Sequence, residues 1–115
     1  WAKANPTQTS FGVPAPGGQS HFFGLMLGRA LGVDMQVVPY RGSAPMIADL
    51  SPGQIKIGIS ALSDFHAAYK GGKVRLLATS GRARPLAAPE LPTFAESGYR
   101  DLVGEGWLGL YAPSR

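Results

Sequence analysis

No cysteine occurs among the 115 residues, so neither a disulfide nor thiolate chemistry is available to this chain. That fits a reducing compartment and an exported bacterial protein equally well. Charge is sparse, at 16% of residues, and the net charge of +4 is spread along the chain. In the densest basic stretch, Lys70 to Arg84, Lys73 and Arg75 open an apolar strand pattern and Arg82 and Arg84 fall in a proline-containing loop. Such scatter reads as solvated charge and not as a nucleic-acid footprint, which needs its cations on one face. No apolar run approaches the roughly 18 to 20 residues that cross a bilayer, so no membrane insertion is expected. Catalytic patterns are missing too. There is no Gly-x-Ser-x-Gly elbow and no phosphate-binding Gly-Lys-Ser/Thr loop, and prolines break the dinucleotide fingerprint between Phe11 and Gly18. With only His21 and His66 as histidines, no metal-ligand spacing emerges. A Ser-His-Asp set from Ser20 or Ser60, His21 and Asp64 has no motif behind it. The reading is of a chain without enzymatic chemistry, cofactor or metal.

What is abundant is turn-forming sequence: 16 glycines and 10 prolines, hence many short connections. Length and ordinary apolar content indicate one domain, residues 1–115, with a modest core. The opening Trp1-Ala2-Lys3-Ala4 reads as the last turn of a helix stopped at Asn5-Pro6. No signal peptide is visible, and the chain reads as an excerpt of a longer one. Strand patterns follow at Thr7 to Val13, Met35 to Pro39, Gln54 to Ser60, Lys73 to Thr79 and Gly106 to Ala112. Helices are predicted from Ser20 to Ala30 with Gly32 as the stop, from Ala44 to Leu50, and from Ser63 or Asp64 to Tyr69. Ser20 and Ser43 are the expected N-caps. Thr93 and Glu96 have the spacing of a capping box on a short helix that Gly98 ends. Strands alternating with helices argue for a mainly parallel sheet flanked by helices, an α/β fold. Right-handed crossovers then place the loops after the strands on one sheet edge.

Those loops hold the candidate site. Between Phe11 and Leu31 a strand enters a Pro- and Gly-rich loop and a helix begins. Helix-start amides have no intrahelical partner and lie at the positive end of the dipole, which suits an anion. A structural turn with Ser20 as a plain cap explains the same residues. Backbone amides, hydroxyls and a cation suit a carboxylate, since charge-assisted hydrogen bonds are the strong ones. Arg41, beside Tyr40 in the turn after a strand, is the side-chain candidate for that cation, or else a surface charge.

Several strings converge on one family. WAKANP, FGVPAPGGQSH, VVPYRGSAPMIADL, GQIKIGIS and GGKVRLLATSGRARPLAAPELPTFAESGY, in this order, resemble the Bug-type extracytoplasmic solute receptors of tripartite tricarboxylate transporters. The resemblance implies one lobe of a type II periplasmic-binding-protein fold, the second of two domains, with the first domain supplying the other cleft wall. It implies a periplasmic location, a small carboxylate as ligand and membrane permease subunits as partners. The ligand residues it implies are Pro14, Gly17, Gly18, Gln19, Ser20 and His21 in the first loop, Tyr40, Arg41, Gly42 and Ser43 in the second, and Ser60 at the end of the third strand.

This chain also departs from the family pattern. Val13 and Gly18 replace hydroxyl-bearing residues. Ser60 and Ala61 stand where relatives commonly have Asp and its neighbour, which removes an acid from the cleft. A ligand without an ammonium group, a simple or aromatic carboxylate, is the expectation from that loss. The alternative within the same fold is an effector-sensing domain of a transcription regulator, which would bring a helix-turn-helix. A hydrolase is the third class, disfavoured by the missing elbow and triad.

Overall fold

The computed structural model describes residues 1–106 and 109–114. Three strands, β1 (Phe11–Val13), β2 (Val37–Pro39) and β3 (Ile57–Gly58), alternate with three helices, α1 (Gln19–Leu31), α2 (Ser43–Leu50) and α3 (Leu62–Lys70). All pairing is parallel, in the order β2-β1-β3, with Gly12 opposite Val38 on one side and Gly58 on the other. The α/β class with a parallel sheet is as the alternating pattern predicts.

Strand β1 is buried throughout because both of its faces are covered. Phe11 and Val13 point to one face and pack with Met35, Leu27 and Leu31. On the other face Met46, Ile55 and Phe65 form a second cluster with Leu50, Val74 and Leu76. Gly12 leaves a gap on that second face, which Met46 and Ile55 fill; a Cβ at Gly12 would lie 2.7 Å from Ile55 Cδ1. Helix α1 sits close on the first face through Gly24 and Gly28. A Cβ at Gly24 would overlap the Phe11 ring, and one at Gly28 would approach the Val33 carbonyl at 2.9 Å.

Glycine ends α1 and α3, whereas α2 ends at Ser51. Gly32 closes α1 at φ +68°, its amide donating back to Arg29 and Gly28 carbonyls. The helix starts differ from expectation. The N-caps are Gly18, Gly42 and Ala61, and none supplies a side-chain hydrogen bond. Ser20 lies one residue inside α1 and Ser43 is the first residue of α2, so neither caps.

The strands are shorter than their apolar patterns. Pro6–Gln8 forms a 3-10 turn, as does Ala2–Ala4, and Thr9 is pinned by its hydroxyl to Pro6 and Asp34 carbonyls, so pairing begins only at Phe11. Residues 54 and 55 donate their amides to the Asp49 carbonyl at the end of α2, which withholds them from the sheet. Of the pattern from Lys73 to Thr79, only Thr79 pairs, in a single parallel bridge with Thr93. No strand forms at 106 or 109–112; Trp107 and Leu108, in the middle of that predicted strand, lie outside the described residues.

The capping-box residues do bond reciprocally, Thr93 N–H to Glu96 Oε2 at 2.8 Å and Glu96 N–H to Thr93 Oγ1 at 3.0 Å. They close a turn and not a helix. Arg84 Nε donates to both Glu96 oxygens, at 3.1 and 3.0 Å. The Thr93 amide first, and then Arg84, hold the Glu96 carboxyl below the usual carboxylate range.

Two predictions follow from this packing. Gly24→Ala gains helix propensity of about 1 kcal/mol but drives a methyl into the Phe11 ring. Overpacking of about 1–3 kcal/mol dominates, so chemical denaturation of the full-length protein should show a net loss of stability. Because Glu96 has a depressed folded pKa, its contribution is present above the unfolded carboxylate value, about 4.3, and is lost as pH falls through the folded value. In melting curves from pH 7 down to pH 3, Glu96→Gln should lower the midpoint at neutral pH, and the difference from wild type should vanish at the acid end. A gap of constant size would rule out the charged turn as its source.

Candidate functional site

Parallel pairing sends the three strand ends to one edge, and each is followed by a loop and a helix start. The loops are tied together. The Gly42 amide donates to the Pro14 carbonyl at 3.0 Å, joining the first to the second. The first and third share a cavity of about 850 Å³, lined by Gln19 and Ser20 from the first and by Ser60 and Ala61 after β3.

With Gly, Gly and Ala as N-caps, the first amides of these helices are left open. The N–H groups of Gln19 and Ser20, Ser43 and Ala44, and Leu62 and Ser63 have no hydrogen-bond acceptor among the described residues. Pro45 in α2 has no N–H to satisfy. Each pair lies at the positive end of a helix.

The predicted residues divide by what they do here. Gly17 adopts φ +79°, and its amide donates to His21 Nδ1 at 3.0 Å. His21 therefore braces its own loop, with Nδ1 as acceptor and the ring proton on Nε2. Pro14 and Gly42 form the link between loops, and Gly42, at φ +98°, makes the turn into α2. Tyr40 turns away from the edge: its hydroxyl donates to Asp49 Oδ2 at 2.8 Å and its ring packs with the Met46 cluster. Burial first, and then Asp49, push the Tyr40 phenol up from its ordinary value. Arg41 is exposed in the turn. Gln19, Ser20 and Ser60 reach the cavity.

Two features were not anticipated. Ser60 Oγ donates to Asp64 Oδ2, one turn into α3, so the carboxylate thought to be missing from this loop is supplied from the helix. The reason for excluding an ammonium-bearing ligand is thereby withdrawn. The serine after the strand and an Asp four residues on, in the first turn of a helix, was the available signal. The second feature is a clamp in the cavity lining. Ser80 Oγ donates to the Gly104 carbonyl at 2.6 Å, and the Gly104 amide returns to the Ser80 carbonyl at 3.0 Å. This brings residues 104–106 against Gln19, whose side-chain amide occupies the space a Cβ at Gly106 would take. The partner of Ser80 lies 24 residues further along the chain, beyond the reach of a local sequence pattern.

No group of three or more His, Cys, Asp or Glu that could hold a metal occurs among the described residues. Among the described residues no helix is long and apolar enough to cross a membrane. The edge is a set of hydrogen-bond donors around a cavity, suited to holding an anion.

Comparison with known proteins agrees with this geometry. The whole chain, residues 1–115, matches the tripartite tricarboxylate transporter family receptor. Protein BugT of Bordetella pertussis is 31% identical over 111 residues, 96% of this chain and 34% of BugT. An Agrobacterium vitis protein from the TAR-I ttuE-ttuC' intergenic region is 32% identical over 96% of this chain and 32% of its own length. Among solved structures, the periplasmic binding protein BugD superposes with a TM-score of 0.81 at 33% identity, over 90% of this chain and 34% of BugD. An R. palustris protein solved with adipate gives 0.78 at 35% identity, over 85% and 33%. The chain thus spans about a third of the length of the relatives it matches. Matched along its entire length, and folded as one lobe of these periplasmic binding proteins, the chain belongs to the tripartite tricarboxylate transporter receptor family, a family of solute receptors and not of enzymes.

Proposed function

We propose that this chain is the second domain of a periplasmic receptor that captures a small carboxylate for a tripartite tricarboxylate transporter. The first domain of the same receptor supplies the opposite wall of the cleft, and the membrane permease subunits take over the ligand. The observation that carries the reading is the set of open amides at three uncapped helix starts on one sheet edge. A carboxylate offers about four lone-pair sites, all acceptors, so it fits donors of this kind. The adipate bound by the R. palustris relative is a ligand of that class. Ser60 adds the opposite polarity. Its proton is given to Asp64, so its oxygen is left to accept from a ligand group such as a hydroxyl or ammonium. The carboxylate then belongs at the α1 and α2 starts, and any donor on the ligand belongs near Ser60. The matched family and the relatives named above are transport receptors, so the regulator alternative gains no support.

Thermal shift of the full-length receptor against mono-, di- and tricarboxylates, amino acids and their deaminated analogues tests the class. A ligand at about 100 times Kd should stabilise by about 2.7 kcal/mol. The amides are tested by Gln19→Pro, with Gln19→Ala as control. Gly18 is extended, with ψ 179°, as a residue before proline must be, and proline suits the first helical position. The proline variant should fold normally and bind about tenfold or more weakly than the alanine variant, the loss of one hydrogen bond to a charged group. Equal affinities would remove the α1 amide from the site.

Tyr40 gives a separate expectation. Tyr40→Phe should cost about 1 kcal/mol of stability through the lost Asp49 bond, while carboxylate affinity, measured by calorimetry, stays within about twofold because the hydroxyl faces inward. A large affinity loss without a stability loss would return Tyr40 to the ligand.

A further inference from the structure

The loop that leads into α1 is a turn of a kind that has two forms. Gly18 donates its amide to the Ala15 carbonyl at 3.3 Å, which closes a four-residue turn over Ala15-Pro16-Gly17-Gly18. Pro16 takes the second position and Gly17 the third, with φ +79°. A proline second and a positive-φ glycine third make a type II turn. Type II and type I differ by a half rotation of the middle peptide, here the one joining Pro16 to Gly17. Proline suits the second position of both forms. Glycine reaches the third position of either, since negative φ is as open to it as positive.

The middle peptide is held from one side only. Its N–H, that of Gly17, donates to His21 Nδ1 at 3.0 Å. Its carbonyl, that of Pro16, accepts no hydrogen bond among the described residues. Pro16 and Gly17 are exposed, and a Cβ at Gly17 would meet nothing within 4 Å, so the peptide has room to turn. The ring of His21 is fixed instead. It stacks on Phe22 with centroids 5.7 Å apart and leans on Phe11 of β1 at 6.4 Å. None of these neighbours titrates, and His21 is the only titratable residue between Lys3 and Arg29. The charged groups on the adjoining loops are Arg41, Asp64 and Glu105. Asp64 is engaged by Ser60 Oγ, and Glu105 by the Arg82 amide. Carboxylates and guanidinium groups hold their charge between about pH 5 and 8, the range in which a histidine ring gains its second proton.

We propose that His21 is the positioning residue of this loop and acts as a proton switch. Neutral, it holds the Pro16–Gly17 peptide in the type II form; protonated, it turns that peptide over. Protonation removes the acceptor and leaves two donors, Nδ1–H and the Gly17 N–H, facing each other at 3.0 Å. A half turn of the peptide brings the Pro16 carbonyl round to the ring in place of the N–H. The new bond is charge-assisted and so about twice as strong as the neutral one it replaces. A repulsive pair is thereby exchanged for an attractive one. The Ala15–Gly18 bond survives, because both turn types keep it. The loop stays closed while the donor and the acceptor that it shows beside the α1 start change places. The ligand edge is made responsive to pH by a residue that itself need not touch a ligand. The switch works without ligand, so it stands or falls apart from the carboxylate reading.

NMR spectroscopy of the isotope-labelled, full-length, ligand-free receptor, titrated from about pH 8 to about pH 5, tests it. In a type II turn the Hα of Pro16 lies against the amide proton of Gly17, and in type I it does not, so their NOE reports the flip. The NOE should be strong at the alkaline end and lost at the acid end, with the same midpoint as the His21 ring signals. An NOE unchanged across the titration of the ring would overturn the proposal, as would a change with a different midpoint. His21→Asn supplies the control, because its Oδ1 stands where Nδ1 does and accepts at every pH. That variant should keep the type II NOE throughout; if it still flips in acid, the switch lies elsewhere and the proposal fails. Gly17→Ala acts in the opposite sense. Alanine is strained at positive φ and at home in type I, so the NOE should already be weak at the alkaline end. A strong type II NOE in this variant at the acid end would count equally against the flip.

Discussion

Everything in this lobe hangs on the hydrogen-bonding of three residues, Phe11-Gly12-Val13. Phe11 and Val13 bond toward β2, through the Gln36 carbonyl and the Tyr40 amide, and Gly12 bonds toward β3. Their side chains make the core on one face, and the missing side chain of Gly12 makes room for it on the other. Parallel pairing on both sides fixes the direction of every crossover, so the three loops and helix starts fall on one edge. No part of that edge would be assembled if β1 paired differently.

The same arrangement explains why the helix starts are uncapped. A serine or threonine at an N-cap satisfies one open amide with its own side chain, and replacing it by glycine costs only a few tenths of a kcal/mol. Gly18 and Gly42 accept that small loss and keep the amides open to the edge. The serines that a sequence pattern assigns to capping stand one residue further in at Gly42-Ser43 and two at Gly18-Gln19-Ser20. A cap would close the donors that an anion requires. On the proposed reading, local stability and recognition pull in opposite directions at these positions, and both glycine loops leave the helix starts uncapped.

How much of this the residues disclose depends on how local the cause is. The three helices were legible, since their periodicity and glycine stops act within one turn. The Thr93–Glu96 reciprocal bond was legible for the same reason, although the turn does not continue as a helix. Strand lengths were not, because a strand is defined by its neighbour. Residues 54 and 55 look like strand but cap α2, and residues 74–78 look like strand but make no backbone hydrogen bond among the described residues. At the site, the glycine loops were legible from composition. The inward bond of Tyr40 was not legible because its partner Asp49 lies nine residues away across α2, and the Ser80–Gly104 clamp has no sequence signal at all. Asp64 had been read as a possible helix start and as a member of a triad without motif support, and its bond to Ser60 reverses the argument that the loop lacks an acid.

The open amides of the helix starts are backbone donors that the lobe orients and does not satisfy among the described residues. An opposing wall over the edge would raise the value of every open amide, since removing water strengthens each bond to a carboxylate. On the receptor reading proposed above, donors covered on one side only gain strength when a second wall closes over them, which would couple ligand capture to closure.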